Sequence, residues 1–143
     1  MAPTLDVARS ASELRVVLGQ LMRRLRAEHG FPISQGAVLG RLDREGPSTT
    51  SALAARERVR PQSMAHTVGE LLAAGLVAKR PDPLDRRQVL LELTEQGATA
   101  LAEDRRHREG WLARAIAEEL TADERDVLAQ AIPLLRRVTQ SKV

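Results

Sequence analysis

The chain has 143 residues, a formal net charge of +3 and no cysteine. This length favours a single domain, and a chain without cysteine can form neither disulfides nor thiolate metal sites. No apolar run approaches the roughly 20 residues that span a bilayer, and the N-terminus shows no secretory signal. We therefore expect a cytoplasmic protein with no membrane partner.

Composition and charge distribution narrow the class further. Aromatic residues are almost absent, with one Phe, one Trp and no Tyr, so Leu, Ala and Val must supply the core. Such a core is typical of a helix-rich fold. Seven Lys or Arg residues stand against four Asp or Glu residues between Arg56 and Arg87, whereas the remainder of the chain is neutral. Clustered basic charge is typical of phosphate binding.

The N-terminal segment is predicted to form a long amphipathic helix. Leu14, Leu18 and Leu21 belong to a stripe with three- and four-residue spacing, the pattern of one helical face. Gly30 and then Pro32 end the helix. A long end helix of this kind often packs on a partner chain, although packing within the monomer is an alternative.

Three shorter helices are predicted next. Ser34 is a good cap for the second helix, and Thr49 or Thr50 can cap the third. The fourth begins at Pro61, where the missing N–H would be unpaired in any case. Residues 58–60 alone separate the third and fourth helices, which is the short turn of a helix-turn-helix.

After Gly75 the pattern becomes strand, turn, strand. Pro81 and Pro83 exclude a helix and place a loop between the strands. Residues 89–93 alternate as a half-buried antiparallel strand should. The sequence therefore predicts a two-stranded hairpin directly after the helix-turn-helix.

Two helices complete the prediction. Thr94 caps a long fifth helix, and Thr121 with Glu124 forms a capping box at the start of the sixth. Pro133 should kink the sixth helix. The fold class is therefore mainly α (α+β).

Three motifs carry a family resemblance: Ala-Ala-Gly-Leu-Val-Ala-Lys-Arg at 73–80, Asp-Pro-Leu-Asp-Arg-Arg at 82–87 and Leu-Thr-Glu-Gln-Gly at 93–97. With the element order, they make the chain resemble the multiple-antibiotic-resistance regulator (MarR) family. The resemblance implies one winged helix-turn-helix domain over 1–143. Residues from about 34 to 94 would form the DNA-binding lobe, and about 5–30 and 95–143 the dimerisation helices.

The resemblance places the fourth helix in the major groove of duplex DNA, where polar side chains at its start suit the role. Gln62 can bond an adenine edge, and Ser63 can bond phosphates or bases. Met64 or Thr67 can touch a thymine methyl group. The role of His66 is the least defined. The predicted DNA-contacting residues are Arg60, Pro61, Gln62, Ser63, His66, Thr67, Lys79, Arg80, Asp85, Arg86 and Arg87.

In the hairpin, Arg86 or Arg87 is expected to enter the minor groove, where narrow A/T-rich stretches concentrate negative potential. We expect Asp85 to hold Arg87 through a bidentate ion pair. Alternatively, the pair only stabilises the hairpin and does not touch DNA. Lys79 and Arg80 are expected to bind phosphates.

The resemblance also implies a homodimer and a small-molecule effector. Met22, Phe31 and Trp111 are pocket candidates by position alone, and for Trp111 a place in the core or the dimer interface is favoured over a role in ligand binding. The charged run at 103–109 is interpreted as a solvated helix face. The predicted dimer contacts are Leu14, Leu18, Leu21, Leu128, Ile132 and Leu135.

Catalysis and metal binding are not predicted. The sequence contains no Gly-rich phosphate loop and no nucleophile elbow. His29, His66 and His107 are far apart, with no pair at i, i+4, so neither a metal site nor a cofactor is expected.

The function expected is that of a dimeric, ligand-responsive regulator, of the repressor type, that binds an imperfect palindrome in double-stranded DNA. The rival hypothesis is a winged helix that binds proteins through its wing. An apolar, uncharged wing would favour the rival, and this wing ends in Asp-Arg-Arg.

Overall fold

The computed structural model describes residues 5–28 and 30–143, in which six helices flank one two-stranded antiparallel sheet. His29, one of the three histidines considered above, lies outside the described residues. The element order is that predicted from the sequence. The elements are α1 (Val7–Glu28), α2 (Ile33–Glu45), α3 (Thr50–Glu57), α4 (Pro61–Ala73), β1 (Val77–Pro81), β2 (Val89–Leu93), α5 (Glu95–Glu119) and α6 (Ala122–Thr139).

The core lies in the middle of the chain. Leu39 of α2, Leu53 of α3, Leu71 of α4 and Leu91 of β2 are its largest fully buried residues, together with Val38. Each of these elements packs one apolar face against the others. Elements this short would not be stable without that packing. The core thus fixes the relative positions of α3, α4 and the sheet.

Side-chain caps begin several helices as predicted. Thr49 accepts the backbone N–H of Ala52 at 3.1 Å, and Thr121 and Glu124 form the complete capping box. The prediction for Ser34 is wrong, because α2 begins at Ile33, two residues before the start that a Ser34 cap would give. Its N-cap position is Pro32, which has no side-chain oxygen to offer. The helix α6 continues through Pro133.

The first and third sequence motifs meet where α4 ends and α5 begins. Gly75 has a φ of +74°, a conformation that glycine adopts without strain. Thr94 Oγ1 donates a hydrogen bond to the Gly75 carbonyl at 2.7 Å and accepts one from the Gly97 N–H at 3.0 Å. Gly97 lies so close to Leu76 that a Cβ atom would be 1.9 Å from its carbonyl oxygen.

The hairpin β1–β2 is attached to the helices by a third short segment. Val77 pairs with Leu93 at one end of the hairpin and Pro81 with Val89 at the other. Ser48, just before α3, exchanges two backbone hydrogen bonds with Leu91, at 3.0 and 2.8 Å. This bridge fixes the hairpin, called the wing below (residues 77–93), against the start of α3.

The end helices are arranged differently from the core helices. Neither α1 nor α6 contains a buried residue among those described. The helix α1 packs against α5, whereas the backbone of α6 approaches other elements of the described chain closely at only a few points, if any. Within the described part of the chain, no helix is long and apolar enough to cross a membrane.

Candidate nucleic-acid interface

A tight turn joins α3 to α4. Arg58 adopts a left-handed conformation with φ 55°, which is uncommon for a residue with a side chain. The Val59 N–H bonds the Ala54 carbonyl at 3.0 Å, and Arg60 precedes Pro61 at the N-cap position of α4. The two helices and their turn form the predicted helix-turn-helix.

The helix α4 has one buried face and one exposed face. Met64, Thr67, Val68 and Leu71 are its buried residues. The residues opposite them are exposed: Gln62, His66, Gly69 and Ala73. No atom of the described residues would lie within 4 Å of a Cβ at Gly69, so the middle of this outward face is open.

Two predicted contacts do not lie on that face. Thr67 is 7% exposed, and its hydroxyl donates to the Ser63 carbonyl at 3.2 Å. Met64 is 3% exposed and belongs to the core. Because neither side chain reaches the outward surface of α4, both leave the interface that we propose.

His66 belongs to a group of polar contacts that the sequence did not predict. Its Nε2 lies 3.1 Å from Glu70 Oε1. The other carboxylate oxygen, Oε2, accepts a bond from Gln35 Nε2 at 3.1 Å. Gln35 lies on α2, so this group joins α4 to its neighbouring helix.

Local hydrogen bonds order the wing tip. Asp82 Oδ1 accepts the backbone N–H of Leu84 at 2.9 Å. Asp85 Oδ1 accepts both the backbone N–H of Arg87 at 3.0 Å and its Nε at 3.3 Å. The predicted bidentate pair is therefore wrong in detail, because one carboxylate oxygen and one guanidinium nitrogen make the side-chain bond.

The basic residues differ in their ion pairs. Arg80 Nε lies 3.4 Å from Glu92 Oε2 across the hairpin. Within residues 5–28 and 30–143, no carboxylate forms an ion pair with Arg60, Lys79 or Arg86. These three cations can therefore bind phosphate without first breaking an ion pair.

Sequence reasoning missed several residues near the wing. A cleft of about 350 Å³ between the start of α3 and the wing is lined by Thr50, Ser51 and Arg87, among others. Only the Ser-Thr-Thr-Ser run at 48–51 could have drawn attention to these hydroxyl groups. Leu84 was also missed, although it is 95% exposed at the wing tip.

An ion-pair cluster braces α3 against α2. Arg41 Nε lies 2.6 Å from Glu57 Oε1, and its Nη1 lies 2.9 Å from Glu45 Oε1. Arg56 also pairs with Glu45. The hydrogen bond to the Glu57 carboxylate raises the pKa of Arg41 above its usual value. The first helix of the helix-turn-helix is thus fixed by charged contacts as well as by the core.

Comparison with known proteins identifies the family. A family model described as MarR family matches residues 29–88. An HTH-type transcriptional regulator of Mycobacterium tuberculosis is 41% identical over 131 residues, covering 90% of this chain and 91% of the relative. The chain belongs to the MarR family of transcriptional regulators. It is therefore a DNA-binding regulator by family and not an enzyme.

Solved structures agree with the MarR assignment. A Pseudomonas aeruginosa PA01 protein assigned as a transcriptional regulator superposes with a TM-score of 0.84 and 37% identity, covering 99% of this chain and 100% of the other. Wild-type MarR from E. coli, in its apo form, superposes with a TM-score of 0.72 and 23% sequence identity, covering 95% of this chain and 98% of the other. The second likeness shows the winged-helix fold alone.

This MarR-family chain has a second cavity, of about 290 Å³, between α1, α2 and α5. Met22 and Phe31 line it, as predicted by position. Trp111 is not among its lining residues and instead lies under Arg24, with 4.9 Å between the guanidinium carbon and the ring centroid. Leu101 and the Asp104 carboxylate also line it, together with four arginines: Arg26, Arg44, Arg105 and Arg108.

The position of Asp104, in the lining of this cavity, contradicts the interpretation of the run at 103–109 as a solvated helix face. Asp104 is 5% exposed and lies 3.1 Å from Arg108 Nε. A Cβ at Gly30 would be 1.7 Å from Asp104 Oδ1, so the α1–α2 connection covers this carboxylate. Asp104 is therefore not part of a solvated face. Among the described residues, no group of three or more His, Cys, Asp or Glu could hold a metal ion.

Proposed function

We propose that this protein is a homodimeric repressor that binds a palindromic operator and releases it when an organic effector binds. The observation that carries the proposal is the outward face of α4, which is open and polar beside a wing with unpaired cations. Repression requires only occupancy of the operator, which a DNA-binding lobe and a dimer can supply.

In the proposed complex, α4 enters the major groove. His66 lies near the middle of its outward face, and Pro61, Gln62 and Ser63 are exposed at its first turn. Gln62 can form two hydrogen bonds to an adenine edge. Arg60, at the start of the helix, is placed to meet a phosphate, which the helix dipole also favours.

The wing supplies contacts on the other side of the lobe. Asp85 holds the Nε side of Arg87, which leaves the terminal nitrogens of that guanidinium for the minor groove. Arg86 and Lys79 have no ion-pair partner in the described residues, so we assign them to phosphates. Arg80 has to share its charge with Glu92, and its phosphate contact should be weaker.

The end helices support dimerisation. Three of the predicted dimer residues, Leu14, Leu18 and Ile132, are exposed large hydrophobic residues in the single chain. Leu21, Leu128 and Leu135 are half-buried. An 18-residue helix with so few close approaches to the rest of the described chain would be marginal in water. A second copy that covers α1 and α6 would remove this exposed apolar surface.

The cavity between α1, α2 and α5 suits an effector with an apolar body and a negative group. Its apolar residues would contact the body, and Arg26 and Arg44, which form no ion pair among the described residues, would bind the charge. Such a ligand would contact both a dimer helix and the DNA-binding lobe. It could then shift the population between dimers with different spacings of the two α4 helices.

The effector proposal has a direct test. Thermal unfolding is measured with benzoate and 1-naphthoate, and again with the corresponding uncharged amides. The carboxylates should raise the melting temperature more than the amides, and Arg44→Ala should reduce that difference. Equal effects of acids and amides would remove the anion from the proposal.

The test of the main proposal is selection of bound duplexes from random DNA, followed by titration of the selected site against salt. We expect a palindrome whose half-sites lie roughly 34–36 Å apart, one helical turn. The logarithm of the binding constant should fall linearly with the logarithm of salt concentration, by about 0.9 per phosphate contact.

The rival hypothesis, a protein-binding wing, draws on the exposed Leu84. Charged residues surround that leucine on the same loop, which favours DNA instead. Absence of any enriched sequence, with and without the carboxylates, would favour the rival.

A further inference from the structure

Gln35, Glu70 and His66 form a chain of polar contacts from α2 to the outward face of α4, made of one hydrogen bond and one close nitrogen–oxygen approach. Gln35 Nε2 donates to Glu70 Oε2 at 3.1 Å. His66 Nε2 lies 3.1 Å from Glu70 Oε1. Each carboxylate oxygen of Glu70 therefore has one neighbour, and the bond from Gln35 orients the carboxylate towards the imidazole.

This arrangement favours one position for the hydrogen of the His66 ring. An ionised carboxylate carries no hydrogen and would repel an Nε2 lone pair 3.1 Å away, so the contact favours the tautomer with the hydrogen on Nε2. In the neutral imidazole, Nδ1 then has no hydrogen and presents a lone pair. The side chain is 80% exposed, so this acceptor is available to a partner.

The position of His66 on α4 determines what the lone pair can meet. The residue lies opposite the buried Met64 and Val68, near the middle of the outward face. Gly69, three residues later on that face, has no side chain to hold a base away. Gln62, one turn earlier, is the other long polar side chain there.

We propose that His66, held by Glu70, selects a base with an exocyclic amine. In the major groove, adenine presents its N6 amine and cytosine its N4 amine as donors, whereas guanine and thymine present acceptors. A fixed acceptor on His66 therefore favours adenine or cytosine on the strand it contacts. This inference rests on the proposed function, because it requires α4 to lie in the major groove.

The experiment is the DNA selection at pH 8, where the neutral ring is the form to be tested. It compares wild type, His66→Ala, Glu70→Leu and a control, Glu92→Leu. Glu92 is another half-exposed carboxylate near the proposed interface, but it pairs with Arg80 rather than with His66. Removing either carboxylate should change overall affinity by electrostatics, whereas only Glu70→Leu should change a base preference.

At one position of each half-site, wild type should prefer adenine or cytosine over guanine and thymine by at least about fivefold. His66→Ala should lose that preference at the same position. Glu70→Leu should accept guanine there as well, because the ring can then place its hydrogen on Nδ1. Glu92→Leu should retain the wild-type preference.

A base analogue gives an independent measurement. If the selected base is adenine, it is replaced by purine, which lacks the N6 amine; if cytosine, by 2-pyrimidinone, which lacks the N4 amine. The replacement should weaken wild type by the factor that His66→Ala causes, and it should not weaken His66→Ala further.

Two results would overturn the inference while leaving the proposed function intact. One is a wild-type palindrome with no position altered in His66→Ala. The other is a His66-dependent preference that is for guanine or thymine, or that Glu70→Leu leaves unchanged. Failure of wild type to enrich any sequence would overturn the proposed function itself, and this inference with it.

Discussion

One carboxylate oxygen of Asp85 accepts two hydrogen bonds from Arg87, from its backbone N–H at 3.0 Å and from its Nε at 3.3 Å. The Arg87 side chain is nevertheless 91% exposed. The aspartate therefore orients the arginine without burying it. An arginine held in this way loses less conformational entropy when it binds.

Replacing Arg87 tests the wing. Arg87→Ala should weaken operator binding by about 1–3 kcal/mol at matched salt, because a positioned guanidinium is lost from the minor groove. Fold and dimer should be unchanged, since the side chain is exposed. Binding isotherms for the selected operator measure the effect. Arg9→Ala is the matched control. Arg9 is also an exposed arginine paired with an acidic residue, Glu13, but it lies in α1, far from the wing in the chain.

The Asp85 variant tests the positioning of Arg87. Asp85→Ala should weaken binding by less than Arg87→Ala, because the arginine remains but is no longer oriented, and because loss of a negative charge near the phosphates offsets part of the effect. Unchanged affinity in Arg87→Ala would exclude the wing from the mechanism and leave the Asp85 bonds a purely structural role.

A charge on α6 tests the dimer. Ile132→Asp should shift the protein to monomers, because the carboxylate would lie in an apolar interface. Ile132 is 48% exposed in the single chain, so the change should not disturb the fold of a protomer. Leu21 is half-buried and would give a less clear result. Sedimentation measures the mass, and Leu84→Asp on the wing serves as control. A dimeric Ile132→Asp protein would place the interface elsewhere.

Removing the Thr67 hydroxyl tests the orientation of α4. Thr67→Val keeps the side-chain shape and loses only the hydroxyl bond to Ser63. We expect operator affinity and selected sequence to stay within about twofold of wild type, because the residue faces the core. Gln62→Ala, on the outward face, should alter the preference for one base. A changed base preference in Thr67→Val would mean that α4 lies in the groove on a different face.

Local sequence patterns predicted the elements of this fold well. Thr94 and Thr121 mark helix starts because a hydroxyl can accept an orphan backbone N–H within three residues. Pro61 and Gly75 mark the two ends of α4 through backbone preferences. Signals of this kind act over one helical turn, so they can be read without knowing the fold.

Contacts between distant segments could not be predicted in this way. Gln35 and Glu70 are 35 positions apart, and no spacing rule pairs them. Ser48 pairs with Leu91 only because the core brings α3 to the wing. The prediction that placed Thr67 on the outward face of α4 failed because it also depended on long-range packing. A polar residue on a short helix can face either way until the helix packs, and the packing of Met64 and Val68 determines its face.

Two glycines of α5 should respond oppositely to alanine. Gly97→Ala should lower the free energy of unfolding by about 1–3 kcal/mol, because the new Cβ would overlap the Leu76 carbonyl oxygen. Gly110→Ala should raise it by about 0.5–1 kcal/mol, since nothing lies within 4 Å of a Cβ there. Denaturant unfolding at fixed protein concentration measures both. A neutral Gly97→Ala would mean that α4 and α5 can separate without cost.

The capping box of α6 predicts a dependence of stability on pH. The backbone N–H of Thr121 donates to Glu124 Oε1 at 2.9 Å, and this bond lowers the pKa of Glu124 below its ordinary value of 4.5. A carboxyl group with a lowered pKa in the folded state stabilises the protein above the unfolded pKa. That contribution is lost as the pH falls through the folded value.

The melting temperature of wild type should therefore exceed that of Glu124→Ala at pH 7, and the difference should shrink as the pH falls from about 5 towards 3. Differences between variants are used because other carboxyl groups titrate in the same range. Glu124→Gln is the control, since its amide oxygen can still accept the Thr121 N–H but does not titrate. The difference in melting temperature between Glu124→Gln and Glu124→Ala should stay nearly constant over this pH range. If the wild-type gap were equally constant, the charge on Glu124 would contribute nothing to the cap, and only the hydrogen-bond geometry would matter.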